Sequence, residues 1–330
     1  MSRIRWGIIG AGSIAARFAE ALAALPDAET LAVGSRSQDS ADRFAETHGF
    51  SRPYAGYEEL AADPDVDVVY VATPHPFHAE NIELCLLAGK SVLCEKPFTV
   101  NAAEARRVVG ISRRRGLFLM EGMWTRFFPL MDRLRRVVSD RTIGEPRMLA
   151  VDFGFRAALD PTSRLFDPKL GGGAMLDVGV YCVSFASMVL GRPVRGTGYA
   201  RLGETGVDEQ FAAVLEHGGG RLSTITSGTR TATPQEATVM GTDGSVRVHS
   251  PWWKPEAMTI SKPGEEDRTI EAPPEGNGFV YEAAEVMRCL RTGKTESEVM
   301  PLDETISVLE TMDGIRKTWG LRYPGEEDAR

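Results

Sequence analysis

Cysteine is scarce and unpaired in this chain. Cys85, Cys94, Cys182 and Cys289 are the four in 330 residues, and no two stand in a Cys-x-x-Cys spacing. Neither a zinc site nor a disulfide framework is expected from such a set, and a reducing, cytoplasmic compartment suits it. Positive charge is also in deficit, with 38 Lys and Arg against 46 acids for a net charge of -8. No basic run carries interleaved aromatics, so nucleic acid is not an expected partner. Arg113-Arg114-Arg115 closes a helix-like stretch, where positive charge favours the helix dipole. No apolar segment of signal-peptide shape opens the chain and no run reads as a bilayer span, so no membrane association is expected. Internal repeats and low-complexity tracts are missing as well.

What is present is apolar content for two cores, 42% of a length that suits two domains. Up to residue 123, short β-rich runs (Ile4 to Gly10, Thr30 to Arg36, Val66 to Thr73, Ser91 to Lys96, Leu117 to Met123) alternate with helical periodicity over Ser13 to Leu25, Ser40 to His48, His75 to Ala88 and Asn101 to Arg115. Continuous apolar strands separated by helices predict an α/β domain, a doubly wound parallel sheet covered on both faces. Residues 124–330 change rhythm. Two-residue alternation over Arg147 to Arg156, Val194 to Leu202, Glu209 to Glu216, Arg221 to Ser227, Ala237 to Gly241 and Ser245 to Val248 predicts an α+β domain with a large, mostly antiparallel open sheet. Helices are expected near Met175 to Leu190, Val280 to Thr292 and Leu302 to Trp319. A sheet face without helices must be solvated or paired, and Thr224, Thr226 and Thr238 do not make it strongly polar, so a homodimer packing through that face is expected.

Gly10-Ala11-Gly12-Ser13-Ile14-Ala15 follows the first strand and opens the first helix. The first glycine permits a tight turn, the second lets backbone approach a pyrophosphate, and the small sixth residue lets helix and strand pack closely. The helix N-terminus then faces the anion, as in a dinucleotide-binding Rossmann domain. Where an NAD-specific fold would place an acid for the ribose hydroxyls, the second strand ends instead in Ser35-Arg36-Ser37. A guanidinium and two hydroxyls suit a 2′-phosphate, so NADP is expected over NAD. Ser91-Val-Leu-Cys94 reads as a buried strand, yet it runs into Glu95, Lys96 and Pro97. A lysine at the mouth of a core needs a use for its charge. The chain must turn sharply there, and Lys96-Pro97 is a candidate for a cis peptide.

Gly10-x-Gly-x-x-Ala15, Ala72-Thr-Pro-His-Pro-Phe-His78 and Ala88-Gly-Lys-Ser-Val-Leu-Cys-Glu-Lys-Pro97 together resemble the Gfo/Idh/MocA oxidoreductases. Met120-Glu-Gly-Met-Trp-Thr-Arg-Phe-Phe-Pro129, Arg164-Leu-Phe-Asp-Pro168, Gly171-Gly-Gly-Ala-Met-Leu-Asp-Val-Gly-Val-Tyr181 and Gly320-Leu-Arg-Tyr-Pro-Gly325 resemble its dihydrodiol dehydrogenase and glucose-fructose oxidoreductase branch. The resemblance implies hydride transfer between a nicotinamide and a secondary alcohol or hemiacetal carbon of a sugar, polyol or trans-dihydrodiol. It implies that Lys96 contacts the reacting oxygen and that Tyr181 stands where many relatives carry an acid/base histidine. Asp177 would position substrate, and the two residues, four apart, should share a helix face. Thr73, Pro74, His75, His78, Glu95, Pro97, Trp124 and Arg126 would complete the cofactor side, with Phe155, Arg164 and Trp124 on the substrate side; Trp124 and Arg126 could instead anchor the domain junction. A cation ~4 Å from a tyrosine is worth ~4 kcal/mol at an effective dielectric of about 20, enough to bring its pKa down by roughly three units. His75 and His78 lack an apparent third ligand, so no metal is expected. Trp252-Trp253 could rim a substrate pocket or fill a core gap. Two other uses of such a fold stand beside the enzyme: a non-catalytic dinucleotide sensor and a glycoside-cleaving enzyme that recycles its NAD.

Cofactor choice carries a signed consequence. Arg36→Ala should weaken NADP more than NAD, because only NADP loses a charge-assisted hydrogen bond worth about 1.5–3 kcal/mol. The kcat/KM ratio for the two cofactors, measured at low ionic strength, should fall about tenfold or more. A wild type that prefers NAD, or a ratio that does not move, overturns the reading of residues 35–37.

Overall fold

The apolar runs of the first third become one parallel sheet in the computed structural model, which describes residues 3–326 of the chain. Its strands are β1 (Ile4–Ile9), β2 (Ala28–Gly34), β3 (Arg52–Tyr54), β4 (Val68–Val71), β5 (Ser91–Glu95) and β6 (Leu119–Gly122), in the order β3-β2-β1-β4-β5-β6. Helices α1 (Ser13–Ala23), α2 (Gln38–His48), α3 (Tyr57–Ala62), α4 (His78–Leu87) and α5 (Ala102–Arg115) connect them. The strand order reverses between β1 and β4, so a crevice opens at their carboxyl ends, where such folds take their ligands. β3 and α3 escape the sequence reading. β3 has three residues, too few to show a period, and side chains secure it: Arg52 pairs with Asp63 and Asp65, each at 2.8 Å.

The later residues build an eight-stranded sheet from β7 (Pro146–Gly154), β8 (Pro193–Leu202), β9 (Asp208–His217), β10 (Arg221–Gly228), β11 (Ala237–Gly241), β12 (Ser245–Val248), β13 (Ala257–Ser261) and β14 (Arg268–Glu271). Only β7 and β10 pair in parallel. Four further helices stand among the described residues: α6 (Pro129–Ser139), α7 (Val180–Leu190), α8 (Phe279–Arg291) and α9 (Leu302–Thr318). α6 was not anticipated, although Leu130, Leu134 and Val137 give it a buried stripe at helical spacing behind Pro129. α7 packs on β7 and β10, so Leu149, Val151, Phe153 and Ile225 point inward and are buried. Residues Pro168–Leu190 are long and apolar enough to cross a membrane, contrary to the sequence reading, and 94% of the qualifying window is buried inside the protein. Its apolarity is that of a helix enclosed by protein on all sides.

Opposite α7 the sheet presents Met148, Val214 and Leu222 together with Tyr199, which is 90% exposed. Cross-strand register puts Leu222 beside Met148 and Tyr199 beside Ala212. Scattered exposed apolar residues are ordinary, but a set aligned on one face is not.

Two compact units result. The first holds the chain up to Thr99, Ala103–Trp124 and Glu275–Thr305; the second holds Val100–Ala102, Thr125–Pro274 and the chain from Ile306. A single cut after residue 123 therefore leaves out a return of the chain, in which α8 covers α1. Phe279 meets Phe18 edge-on with ring centroids 6.5 Å apart and stacks on Trp124 at 4.5 Å, with only 4° between the rings. Phe18 in turn stacks on Tyr70 at 3.8 Å.

One turn beyond Phe279, the same helix buries Glu282 completely, and neither carboxyl oxygen has a hydrogen-bond partner among the described residues. Burial, and then the negative charge of Glu95, push its pKa well above the usual carboxylate range. A group whose pKa is raised on folding favours the folded state below its unfolded value of about 4.3 and loses that contribution as pH rises. Glu282→Gln, which cannot ionise, should therefore gain in Tm over wild type as pH moves from about 4 to neutrality, by roughly 2–4 °C for each kcal/mol relieved. Parallel Tm-against-pH curves for the two proteins would show that Glu282 does not titrate across that range.

Candidate active site

The Gly10 turn has the geometry a dinucleotide needs. Gly10 takes φ +101°, and a Cβ there would lie 2.8 Å from the Ala72 carbonyl oxygen, so no other residue fits. Around Gly12 a Cβ would meet nothing within 4 Å, and no side chain caps α1. The first amides of that helix thus open onto free space, a cradle for a pyrophosphate, while Ala15 is buried against the sheet. Beside them Ser13 is exposed and Ala11 and Ile14 are half-buried. At the end of β2, Ser35 is buried and its amide donates to the Tyr54 carbonyl at 3.1 Å, while Arg36 and Ser37 are exposed. Residues 10–15 and 35–37 fit an adenine dinucleotide.

β4 and β5 end in two turns tied together by one ring. His78 is fully buried, with Nε2 2.7 Å from the Thr73 carbonyl and Nδ1 2.9 Å from the Pro97 carbonyl. A neutral ring donates to one carbonyl at a time. Burial lowers its pKa while the carbonyls raise it, with the net direction downward. His78 thus ties together the turns after β4 and β5. Lys96-Pro97 is cis, as expected, and Ser250-Pro251, which was not expected, is cis too. Glu95 is likewise turned inward, accepting the Tyr70 hydroxyl and the Lys96 amide (3.2 Å), so it supports the turn. Lys96 itself is half-buried at the strand end. Thr73 and His75 are buried and Pro74 is exposed beside them, while Trp124 is held flat against Phe279.

In the second unit the triple glycine makes room for the helix behind it. A Cβ on Gly172 would sit 2.9 Å from the Leu165 carbonyl oxygen, and Gly173 takes φ +114°. Met175–Gly179 then forms a wide π turn before α7 begins, so Asp177 and Tyr181 are not separated by ordinary α-helical turns. Such turns concentrate at functional sites. Gly179 is required there, since a Cβ would lie 2.7 Å from the Phe211 ring. Asp177 is buried and ion-paired with exposed Arg164 at 2.7 Å. Tyr181 is nearly buried, with its ring centroid 5.4 Å from that of Phe153, which stacks on Trp253 at 5.1 Å.

Phe153, which the sequence pattern does not single out, lies against the Tyr181 ring. A weak signal was available, because Phe153 shares the inward parity of Leu149 and Val151 on β7. Phe155 is half-buried just past the strand. Arg126 was expected on the cofactor side, but it is buried and donates to Ser184 Oγ (2.9 Å) and to the Ser184 carbonyl (2.6 Å), so it braces α7. Trp252 and Trp253 separate cleanly. The first fills the core against Phe185 with Nε1 donating to the Asp152 carbonyl at 2.7 Å, and the second extends the aromatic row from Tyr181.

Comparison with known proteins agrees with this geometry. Residues 4–123 match the Gfo/Idh/MocA oxidoreductase family, NAD-binding Rossmann fold, and residues 131–247 match the Gfo/Idh/MocA C-terminal domain. Trans-1,2-dihydrobenzene-1,2-diol dehydrogenase from Mus musculus is 40% identical, and that from Homo sapiens 39%, each alignment covering 98% of this chain and 99% of the relative. A 3-ketoreductase from Actinomadura kijaniata, solved with NADP and TDP-benzene, superposes with a TM-score of 0.85 at 28% identity over 96% of this chain and 98% of that one. An aldose-aldose oxidoreductase from Caulobacter crescentus shares the fold, with a TM-score of 0.87 at 24% identity over 97% and 98% of the two chains. The chain belongs to the Gfo/Idh/MocA family of oxidoreductases.

Proposed function

We propose that this oxidoreductase uses NADP to oxidise a carbinol carbon of a trans-dihydrodiol or kindred cyclic alcohol, and acts in reverse as a carbonyl reductase. NADP, when bound, accepts hydride from that carbon. Tyr181 takes the hydroxyl proton during oxidation and returns it during reduction. Lys96 supplies a fixed cation to the reacting oxygen and lowers the pKa of the tyrosine. Asp177, pinned by Arg164, positions the substrate. The observation that carries the substrate class is the aromatic row: the Tyr181 phenol stands against Phe153 and then Trp253. Flat apolar faces beside a proton acceptor suit a ring carbinol better than a polyhydroxylated sugar. The names of the mouse and human relatives agree with this choice, and the exposed Arg36 and Ser37 support NADP, the cofactor of the solved 3-ketoreductase.

The exposed face around Val214, Leu222, Met148 and Tyr199 supports a homodimer in which a second copy covers the open sheet. Four buried free thiols support residence in the reducing cytoplasm.

The reading is tested by assaying trans-dihydrodiols, aldoses and polyols with NADP, following absorbance of the reduced cofactor. A dihydrodiol should give the highest kcat/KM, and a preference for aldoses overturns the substrate assignment. Tyr181→Phe should keep dinucleotide affinity and lose about 10² to 10⁴ in turnover; near wild-type turnover removes Tyr181 from the mechanism. In Lys96→Met the residual activity should need higher pH, because loss of a neighbouring cation raises the tyrosine pKa. An unshifted pH profile would sink the coupling. Val214→Glu should yield monomers in sedimentation velocity, whereas a dimer unaffected by that charge would place the interface elsewhere.

A further inference from the structure

Asp208, the first residue of β9, is fully buried and has no place in the reaction as described. Its Oδ2 accepts the backbone amide of Met175 at 2.7 Å, and Met175 is the first residue of the wide turn that carries Asp177 and leads to Tyr181. Its Oδ1 has no partner among the described residues. That oxygen occupies the space a side chain on residue 173 would need: a Cβ on Gly173 would fall 2.2 Å from it. The carboxyl therefore fits into the chain where the turn begins, and the Gly173 conformation admits it.

The surroundings hold the carboxyl in place. Tyr323 donates its hydroxyl to the Gly172 carbonyl at 2.7 Å, and the same hydroxyl would lie 3.2 Å from a Cβ on Gly173. Arg316 of α9, whose charge acts on Asp208, lies over the Tyr323 ring and is committed to Asp313 (2.7 Å) and Glu326 (2.5 Å). Asp177, the acid on the turn itself, is committed to Arg164. Burial pushes the Asp208 pKa up to about 7, against the Met175 amide and Arg316, which pull it down. Either protonation state leaves an oxygen for the amide.

We infer that Asp208 is a positioning residue for the acid/base: by accepting the Met175 amide it fixes the entry of the π turn and thereby the placement of Tyr181. This inference rests on the acid/base reading of Tyr181. The hydrogen bond, not the charge, does the positioning, so an amide in place of the carboxyl should serve. A displacement of the reacting group by about 1 Å costs roughly 10²-fold in rate, which sets the scale of the effect.

The test compares three variants of the full-length protein. Asp208→Asn retains an acceptor. Asp208→Leu fills the same space without one, and Asp208→Ala is the second acceptor-free form should the leucine not fold. An acceptor-free variant should lower kcat by about 10- to 100-fold while NADP affinity, read by fluorescence titration, stays at the wild-type value. Hydrogen–deuterium exchange should quicken at Met175 to Asp177 in that variant alone, and Asn should restore both kcat and protection. Faster exchange with unchanged kcat overturns the inference, as does an Asn variant as slow as the acceptor-free one. Exchange reads the turn independently of turnover. If Tyr181→Phe keeps full activity, the acid/base reading fails by itself, while the exchange result still reports whether Asp208 holds the turn.

Discussion

The imidazole of His78 is the joint on which the first unit depends. Two parallel strands, β4 and β5, end side by side, and each delivers a turn whose carbonyl points back into the protein. A buried carbonyl without a donor costs about 1–3 kcal/mol, and the one N–H of the neutral ring serves either of the two, so the ring ties both turns to itself. The turn after β4 thereby keeps Thr73 beside the Gly10 turn, and the turn after β5 keeps Lys96 at its strand end. Glu95 and Tyr70 extend the support inward, and the stacked Phe18 links them to the core beneath α1. The residues that meet a ligand are few; those that hold them are buried, polar and mutually satisfied.

The second unit meets the same demand with small residues and a wide turn. Gly172, Gly173 and Gly179 admit backbone, a carboxylate and a phenyl ring at distances no Cβ would allow. Arg126 enters the core to satisfy Ser184 on α7, and Trp252 does so at Asp152. The outcome is a helix fixed at its entry, on its flank and against the sheet, with Tyr181 facing Phe153. The proposed acid/base role of Tyr181 would call for such fixing, because rate depends steeply on placement.

Much of the fold was legible because its signals are local. Continuous apolar runs marked β1, β2, β4, β5 and β6, and two-residue alternation marked β7 to β12 within one or two residues of their ends. β3 was too short to show a period, and α6 was hidden by an arginine-rich exposed face despite its buried leucines. Nothing local announces that residues 275–305 return to the first unit. Phe279 finds Phe18 and Trp124 only after the chain has come back across more than 150 residues.

For the candidate site, the glycine turn, the strand-end lysine and the Asp177 to Tyr181 segment stand out in the sequence, because tight turns and charges at strand ends restrict residue identity locally. Which polar residues face a ligand and which support those that do was decided only by tertiary structure. His78, Glu95 and Arg126 read as ligand contacts, and the structure adds a bracing part for each, since the carbonyls, hydroxyls and amides they engage come from distant segments or from the turn they shape. Phe153 did not stand out, and Asp208 went unnoticed, because an acid at a strand start looks solvated until the packing removes the water. Propensity and spacing act over a few residues; burial and partnership are properties of the packed chain.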